Sequence, residues 1–149
     1  MSDIDDASWR TDPGLLAEFA GGQAAVDWFG YVPDFHDATL VSVELTGGQA
    51  SVVLKTFRMT DKVDAEGFFV LDRHALFTIL FEDVIGVELQ GAVAAIVFSV
   101  RFRRLSKDLK SWAATSGPTA GSIEARFDAV FGLEGSIYAD KISLILQPV

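Results

Sequence analysis

Residues 39–56 read TLVSVELTGGQASVVLKT, and this stretch decides the fold class. Polar and apolar side chains alternate on both sides of Gly47-Gly48, and two glycines between alternating runs are a typical signal for a tight β-hairpin. With these glycines as the loop, the facing pairs are Leu45 with Ala50, Val43 with Val52, Val41 with Leu54 and Thr39 with Thr56. One face of the hairpin is then almost wholly apolar, which predicts two antiparallel strands with one buried face.

Alternation with period two continues from this hairpin to the C-terminus. It predicts further strands at about 68–82, 84–90, 94–105, 122–131 and 136–146, with a polar loop at 60–67 and a long connection at 106–121 that Trp112 anchors. The residues predicted to face inward are Ala75, Phe77, Ile79, Phe81, Ile96, Phe98, Val100, Phe102, Ile123, Ala125, Phe127, Ala129 and Phe131.

The region before the hairpin has a helical pattern. Asp12-Pro13 predicts a helix start, because a carboxylate can cap the first turn and Pro suits the first helical position. Gly30 predicts the end of a second helical segment. We therefore predict one α+β domain over residues 1–149, with a single antiparallel sheet of about six or seven strands in hairpins, covered by an N-terminal helical region. A strongly curved sheet or a partly closed barrel is the alternative.

Composition excludes several classes of protein. Half of the 149 residues are hydrophobic and twelve are Phe, so a packed core is expected. The chain has no cysteine, which excludes disulfides, thiolate metal sites and cysteine nucleophiles and fits a reducing cytosol. The acidic N-terminus is the reverse of a signal peptide, and the longest apolar run, residues 91–99, is too short to span a bilayer. These features predict a cytoplasmic protein.

The negative charge is concentrated at the N-terminus. Residues 1–37 hold eight acidic residues and one basic residue, and residues 1–11 are expected to form an acidic, partly frayed tail. Such a region repels nucleic acid and anionic membranes and attracts basic partners. Arg101 and Arg103 share one face of a predicted strand, and the lysines of the same basic cluster fall in the following loop. We expect this cluster to form a solvent face or to protect a sheet edge, and its members are Arg101, Arg103, Arg104, Lys107 and Lys110.

His36 and Asp37 are the most prominent candidates for chemistry. A neutral imidazole oriented by a carboxylate is a general base, and His74 is the only other histidine that could join it. Adjacent residues at a strand start point to opposite faces, however, which places Asp37 poorly for this role. The alternative is structural: the His36 ring bonds to the backbone and locks the helix-to-strand loop, while Asp37 caps a turn. No sequence motif predicts a catalytic, metal or cofactor site.

The segment around this pair resembles a known family. Residues 29–38 read FGYVPDFHDA and lead into the alternating residues 40–45, which is similar to the FG-x-WP-x-FHDAE signature of the immunity protein 50 family. Val32 and Thr39 stand where that signature has Trp and Glu. A looser similarity extends to about residue 105, through the Val-x-Leu-x-Gly step at 87–91.

The resemblance implies a small bacterial protein that binds and inhibits a cognate toxin domain without catalysis. The residues of the motif are expected to serve either folding or binding, and they are Phe29, Gly30, Pro33, Phe35, His36 and Asp37. Asp27, Asp34 and Tyr31 are the interface candidates, because an acidic surface suits a basic toxin. The first alternative is a small enzyme or ligand-binding domain that uses His36 and Asp37 in a pocket. The second is a homo-oligomer whose edge strands pair. No nucleic-acid or membrane partner is expected.

Overall fold

Two short helices and six strands make up the part of the chain that the computed structural model describes, residues 9–109 and 117–149. The elements are α1 (Pro13–Glu18), α2 (Gly22–Phe29), β1 (Thr39–Thr46), β2 (Gln49–Val63), β3 (Phe69–Gln90), β4 (Ile96–Arg104), β5 (Ile123–Phe131) and β6 (Glu134–Pro148). The predicted α+β class with an antiparallel sheet is confirmed. Residues 1–8 of the expected tail, Lys110 of the expected basic cluster and the expected anchor Trp112 lie outside the described residues.

The six strands form a closed barrel in the order β1-β2-β3-β6-β5-β4, and all neighbouring strands are antiparallel. Closure of the sheet selects the barrel alternative over an open sheet. Side chains fill the barrel, as is usual for small barrels. The largest of those that are fully buried include Phe77, Phe81, Phe102, Leu54, Ile79, Ile137, Val52 and Val100.

The two helices are too short to form the expected helical cover of a sheet face, and that expectation is not supported. A closed barrel leaves no open apolar face to cover. The helices instead contact β4 and β6 and contribute Leu15, Leu16, Phe19, Ala25 and Phe29 to the core. Their predicted ends are found, because Asp12 caps α1 through Gly14 N at 3.0 Å and Gly30, with φ of 82°, ends α2. Among the described residues, no helix has the length and apolar character needed to cross a membrane.

Register shifts change the inward and outward positions that alternation predicts in β1 and β4. In the β1–β2 hairpin, the pairs Leu45–Ala50 and Val43–Val52 are found, but a bulge between Leu40 and Ser42 pairs Leu40 with Leu54 and Thr39 with Lys55. The predicted pairs Val41–Leu54 and Thr39–Thr56 are therefore wrong, and Val41 is exposed. A bulge inserts one extra residue into one strand, so the phase of the alternation changes at that point.

The same effect corrects the prediction for β4. Register shifts on both sides of Val97 turn its side chain inward and leave Phe98 exposed. Phe131, which pairs with Ile96 beyond the shift, is also exposed. The other predicted inward residues are buried, except that Ile96 and Ala129 are half-buried.

The largest difference between the predicted and the observed strands is that β2 and β3 extend beyond the barrel. The expected loop at 60–67 begins as strand, because β2 runs to Val63, and β3 continues through Gly86 as one strand. β2 pairs with β1 only as far as Lys55, and β3 pairs with β6 only from Ala75. Between these points, residues 57–72 form a two-stranded ribbon, here called the β2–β3 arm, which pairs Arg58 with Asp72, Met59 with Leu71 and Val63 with Phe69.

Candidate functional site

The segment that carries the family resemblance closes the barrel. Four main-chain hydrogen bonds join residues 34–40 to residues 95–100 and form the seam between β1 and β4. They run from Asp37 N to Val97 O at 2.9 Å, from Val97 N to Ala38 O at 2.8 Å, from Leu40 N to Ala95 O at 3.1 Å and from Val100 N to Asp34 O at 2.8 Å. The main-chain groups that make these hydrogen bonds therefore stabilise the closed barrel.

The junction holds two residues in the left-handed backbone region, Phe35 with φ of 60° and Asp37 with φ of 63°. This conformation is unfavourable for a bulky side chain and persists only where surrounding contacts enforce it. The Phe35 ring is 3% exposed, and it packs edge-on against Phe29 at 5.9 Å and Phe77 at 5.3 Å. Pro33 is also buried. The structure thus buries Phe29, Pro33 and Phe35 in one packed junction and leaves Gly30 exposed at the end of α2.

His36 is anchored to the backbone, although its side chain is 49% exposed. Its Nδ1 lies 3.0 Å from the carbonyl O of Phe98, and its main-chain N donates to Asp34 Oδ1 at 3.1 Å. A carbonyl only accepts hydrogen bonds, so Nδ1 must carry the hydrogen. Nε2 lies 3.5 Å from Asp37 Oδ2, and the two form an ion pair only when the ring is protonated. Asp37 therefore lies beside Nε2, which is the nitrogen that would accept a proton if His36 were a general base. It does not contact Nδ1, so it cannot orient the ring through that atom.

His74 does not join this pair. The cleft beside His36 has a volume of about 110 Å³ and is lined by Phe29, Tyr31, Pro33, Phe35, His36, Phe57 and Met59. His74 lies outside that lining and places its ring 6.2 Å from the ring of Phe57. Within the described ranges, no group of three or more His, Asp or Glu side chains could hold a metal ion.

Tyr31 and Asp34 form an exposed pair on the outside of the junction. Tyr31 is 49% exposed and Asp34 is also exposed. Partial burial of the phenol, together with the nearby Asp34 charge, raises the pKa of Tyr31. The third interface candidate, Asp27, is exposed on α2 and accepts a hydrogen bond from Gln23 Nε2 at 2.9 Å.

The C-terminal end of α2 packs on the base of the β2–β3 arm. Trp28 Nε1 donates to the main-chain O of Arg73 at 3.0 Å, and the Arg73 guanidinium lies 5.3 Å from the centre of the Trp28 ring. Arg58 makes a two-point contact with Asp72 at 2.9 and 2.7 Å. That hydrogen bond lowers the pKa of Asp72. The base of the arm is thus tied to the same junction that presents Tyr31.

Sequence reasoning missed the surface of the arm. Six large apolar side chains along it are exposed: Met59, Val63, Phe68, Phe69, Val70 and Leu71, with exposed fractions from 37% for Val70 to 70% for Phe68. The run of four apolar residues at 68–71 was the available signal. In a strand with one buried face such a run must expose some of its members, and long exposed apolar runs usually serve a function.

The expectation of a solvent face at Arg101 and Arg103 is wrong. Their side chains are only 15% and 29% exposed, because carboxylates on β5 lie opposite them. Arg101 contacts Asp128 at 2.7 Å, Arg103 contacts Glu124 at 2.8 Å, and the Trp9 ring covers both guanidinium groups at 4.4 and 4.6 Å. This network joins β4, β5 and the N-terminal segment on the outside of the barrel.

The network also changes the titration of its members. Burial alone would raise the pKa of Asp128, but the Arg126 hydrogen bond and the Arg101 charge together lower it. Burial, and then the Glu124 charge, raise the pKa of Tyr138 to about 12. The lowered pKa of Asp128 thus follows from its ion pairs, whereas the raised pKa of Tyr138 follows mainly from burial.

Comparison with known proteins adds no relative, since no protein-family model, curated protein or solved structure matches this chain.

Proposed function

We propose that this chain is a non-catalytic bacterial immunity protein that acts in the cytoplasm by binding and inhibiting a cognate toxin domain. The observation that carries the proposal is the exposed Tyr31–Asp34 pair on a junction whose backbone is already fixed by the barrel seam. Tyrosine is enriched among residues that dominate protein interfaces, because it buries a large ring and keeps a polar end. A surface that is rigid before binding loses little conformational entropy on binding.

Charge supports a basic partner. The chain has a formal net charge of −9, and Asp27 and Asp34 are exposed beside or near Tyr31 in the sequence. An acidic surface accelerates encounter with a basic protein and disfavours nucleic acid and anionic lipid. A nuclease-type toxin, which needs a basic surface to hold its substrate, has the matching chemistry.

The geometry around His36 favours binding over catalysis. The cleft of about 110 Å³ is below the usual range for small-molecule sites, which begins at about 300 Å³. The carbonyl of Phe98 engages Nδ1, and the carboxylate of Asp37 faces Nε2. The enzyme alternative rests on the His36 ring, which is half-exposed and lines that cleft.

The test is capture of the partner followed by direct binding and protection. The chain is used as bait in lysate of the source organism, the captured protein is identified by mass spectrometry, and the purified pair is measured by calorimetry. The test variant is Asp27→Lys/Asp34→Asn. Asn at position 34 keeps the acceptor that His36 N uses, so the junction is preserved.

A matched control separates local from general charge effects. Glu44→Lys/Glu82→Gln makes the same formal charge change at two exposed positions on β1 and β3. We expect the test variant to bind a toxin domain at least tenfold more weakly and to lose protection of cells that express it, and the control to retain both. Capture of no toxin-like protein would overturn the proposed function. Equal binding by both variants would exclude the Tyr31–Asp34 surface as the interface.

A further inference from the structure

The β2–β3 arm has two open edges. Its strands pair with each other between residues 57 and 72, whereas the flanking strands β1 and β6 end at the level of Lys55 and Ala75. The tip is an ordered turn, because Asp64 Oδ1 accepts hydrogen bonds from Glu66 N at 2.9 Å and Phe68 N at 3.0 Å. A two-stranded ribbon is only marginally stable in water unless another surface covers it. α2 covers the base of the arm through Trp28, whereas residues 61–71 are all exposed.

The exposed apolar side chains of the arm lie on both faces of the ribbon. Successive residues of a strand point to opposite faces, so Phe69 and Leu71 share one face with their partners Val63 and Met59, and Phe68 and Val70 lie on the other. The first group is an apolar strip of four side chains that are 40–59% exposed. A contiguous exposed apolar strip on a soluble protein marks an interaction surface.

The charges on the arm change sign along its length. The tip carries Asp61, Asp64 and Glu66 against Lys62, a net charge of −2. At the base, Arg58 and Asp72 form an ion pair with each other, and Lys55 and Arg73, which flank the arm, add a net charge of +2. A second arm laid antiparallel places each acidic tip on a basic base, whereas two arms laid parallel place like charges together. This arrangement is self-complementary under a two-fold axis.

From the open edges, the apolar strip and the charge reversal, we propose that the arm binds a second copy of this chain and forms a two-fold homodimer with antiparallel arms. The occupant is a second copy because the acidic tip of the arm and the basic residues Lys55 and Arg73 that flank its base supply both members of each charge pairing. The dimer does not depend on toxin binding, since it uses the arm and leaves Asp27 and Asp34 outside the paired residues. It is measured on the purified chain alone, so its failure and that of the proposed function are distinguishable.

The first experiment measures mass by sedimentation equilibrium of the full chain from micromolar to submillimolar concentration. Phe69→Ser/Leu71→Ser removes two arm side chains that are 54% and 40% exposed. The matched control, Phe131→Ser/Ile145→Ser, removes two side chains elsewhere on the barrel that are 57% and 49% exposed. We expect the parent and the control to be dimers and the arm variant to dimerise at least tenfold more weakly. A monomeric parent, or equal dimerisation of both variants, would overturn the proposal.

The second experiment tests the antiparallel arrangement by charge exchange. Asp61→Lys/Glu66→Lys makes the tip basic, and Lys55→Glu/Arg73→Glu makes the base acidic. Each variant alone then opposes like charges and should be monomeric. An equimolar mixture opposes unlike charges at both ends and should restore a heterodimer, which also shows that both variants are folded. A mixture that stays monomeric would refute the antiparallel arrangement, and circular dichroism of each variant checks its fold.

Discussion

Replacing Phe35 with Ala should destabilise the protein more than any other single change in the junction. The Phe35 ring is 3% exposed and contacts both Phe29 and Phe77, so the replacement leaves a cavity at the barrel seam. Truncation of a buried Phe to Ala costs about 3–5 kcal/mol. Ala keeps the unfavourable left-handed backbone at φ of 60°, so it gains nothing in compensation. Because domains of this size have stabilities of about 5–15 kcal/mol, the loss is a large fraction of the total.

The assay is urea unfolding followed by circular dichroism, with the midpoint and slope fitted for parent and variant. Phe98→Ala is the matched control, since Phe98 lies in the same seam on β4 but is 53% exposed. We expect the control to lose less than about 1 kcal/mol, as surface changes usually do. A Phe35→Ala loss below about 1 kcal/mol, or a loss equal to that of the control, would refute the idea that this ring enforces barrel closure.

Three further predictions concern the same junction and the charged network. Asp37→Gly should be neutral or stabilising by up to about 1 kcal/mol in urea unfolding, because Gly adopts the left-handed backbone without strain, whereas a loss above that would show that the carboxylate itself matters. His36→Ala should cost about 1 kcal/mol through the lost contact to Phe98 O and leave toxin affinity within twofold by calorimetry, whereas a much larger loss of affinity would place the ring in the interface. The chain has two tyrosines, so the Tyr31→Phe variant retains only Tyr138. Ultraviolet titration of this variant should show Tyr138 ionising near pH 12. The pKa of Tyr138 in the folded protein lies above the unfolded value of 10.0, so the neutral phenol contributes stability that is complete below pH 10 and is lost as the pH rises towards 12. Ionisation near pH 10 in the folded protein would contradict the burial of this side chain.

The elements that sequence predicted best depend on local chemistry. The Gly47-Gly48 turn, the Asp12 cap and the Gly30 stop each follow from residues within four positions of each other, and all three are found. The inward face of β3 was also predicted correctly, because Phe77, Ile79 and Phe81 recur with period two and are all buried. Where local signals and the pleat agree, one sequence is enough.

The elements that sequence missed depend on long-range pairing. Val97 and Phe98 are both apolar, so alternation cannot decide which faces inward until the seam with residues 37–40 fixes the bulge. The burial of Arg103 requires Glu124 from a strand about twenty residues later. The arm was missed for a similar reason, since its open edges exist only because β1 and β6 end early.

Residues 29–38 include both buried positions that stabilise the fold and exposed positions that can contact a partner, so partner specificity can change without loss of the fold. Phe29, Pro33 and Phe35 are buried in the packed junction, and Gly30, which is exposed, ends α2 in the left-handed conformation, so substitutions at these positions change the fold before they change any interface. Tyr31 and the carboxylate of Asp34 are outside it, and partner specificity can therefore change at these positions at little cost to stability. Val32, which stands where the resembling signature has Trp, is half-buried between these two classes. If the proposed function holds, Val32→Trp should enlarge the exposed aromatic surface beside Tyr31 and alter toxin affinity while the urea midpoint stays within the range of other surface changes. A large fall in the midpoint with unchanged affinity would instead assign position 32 to the core.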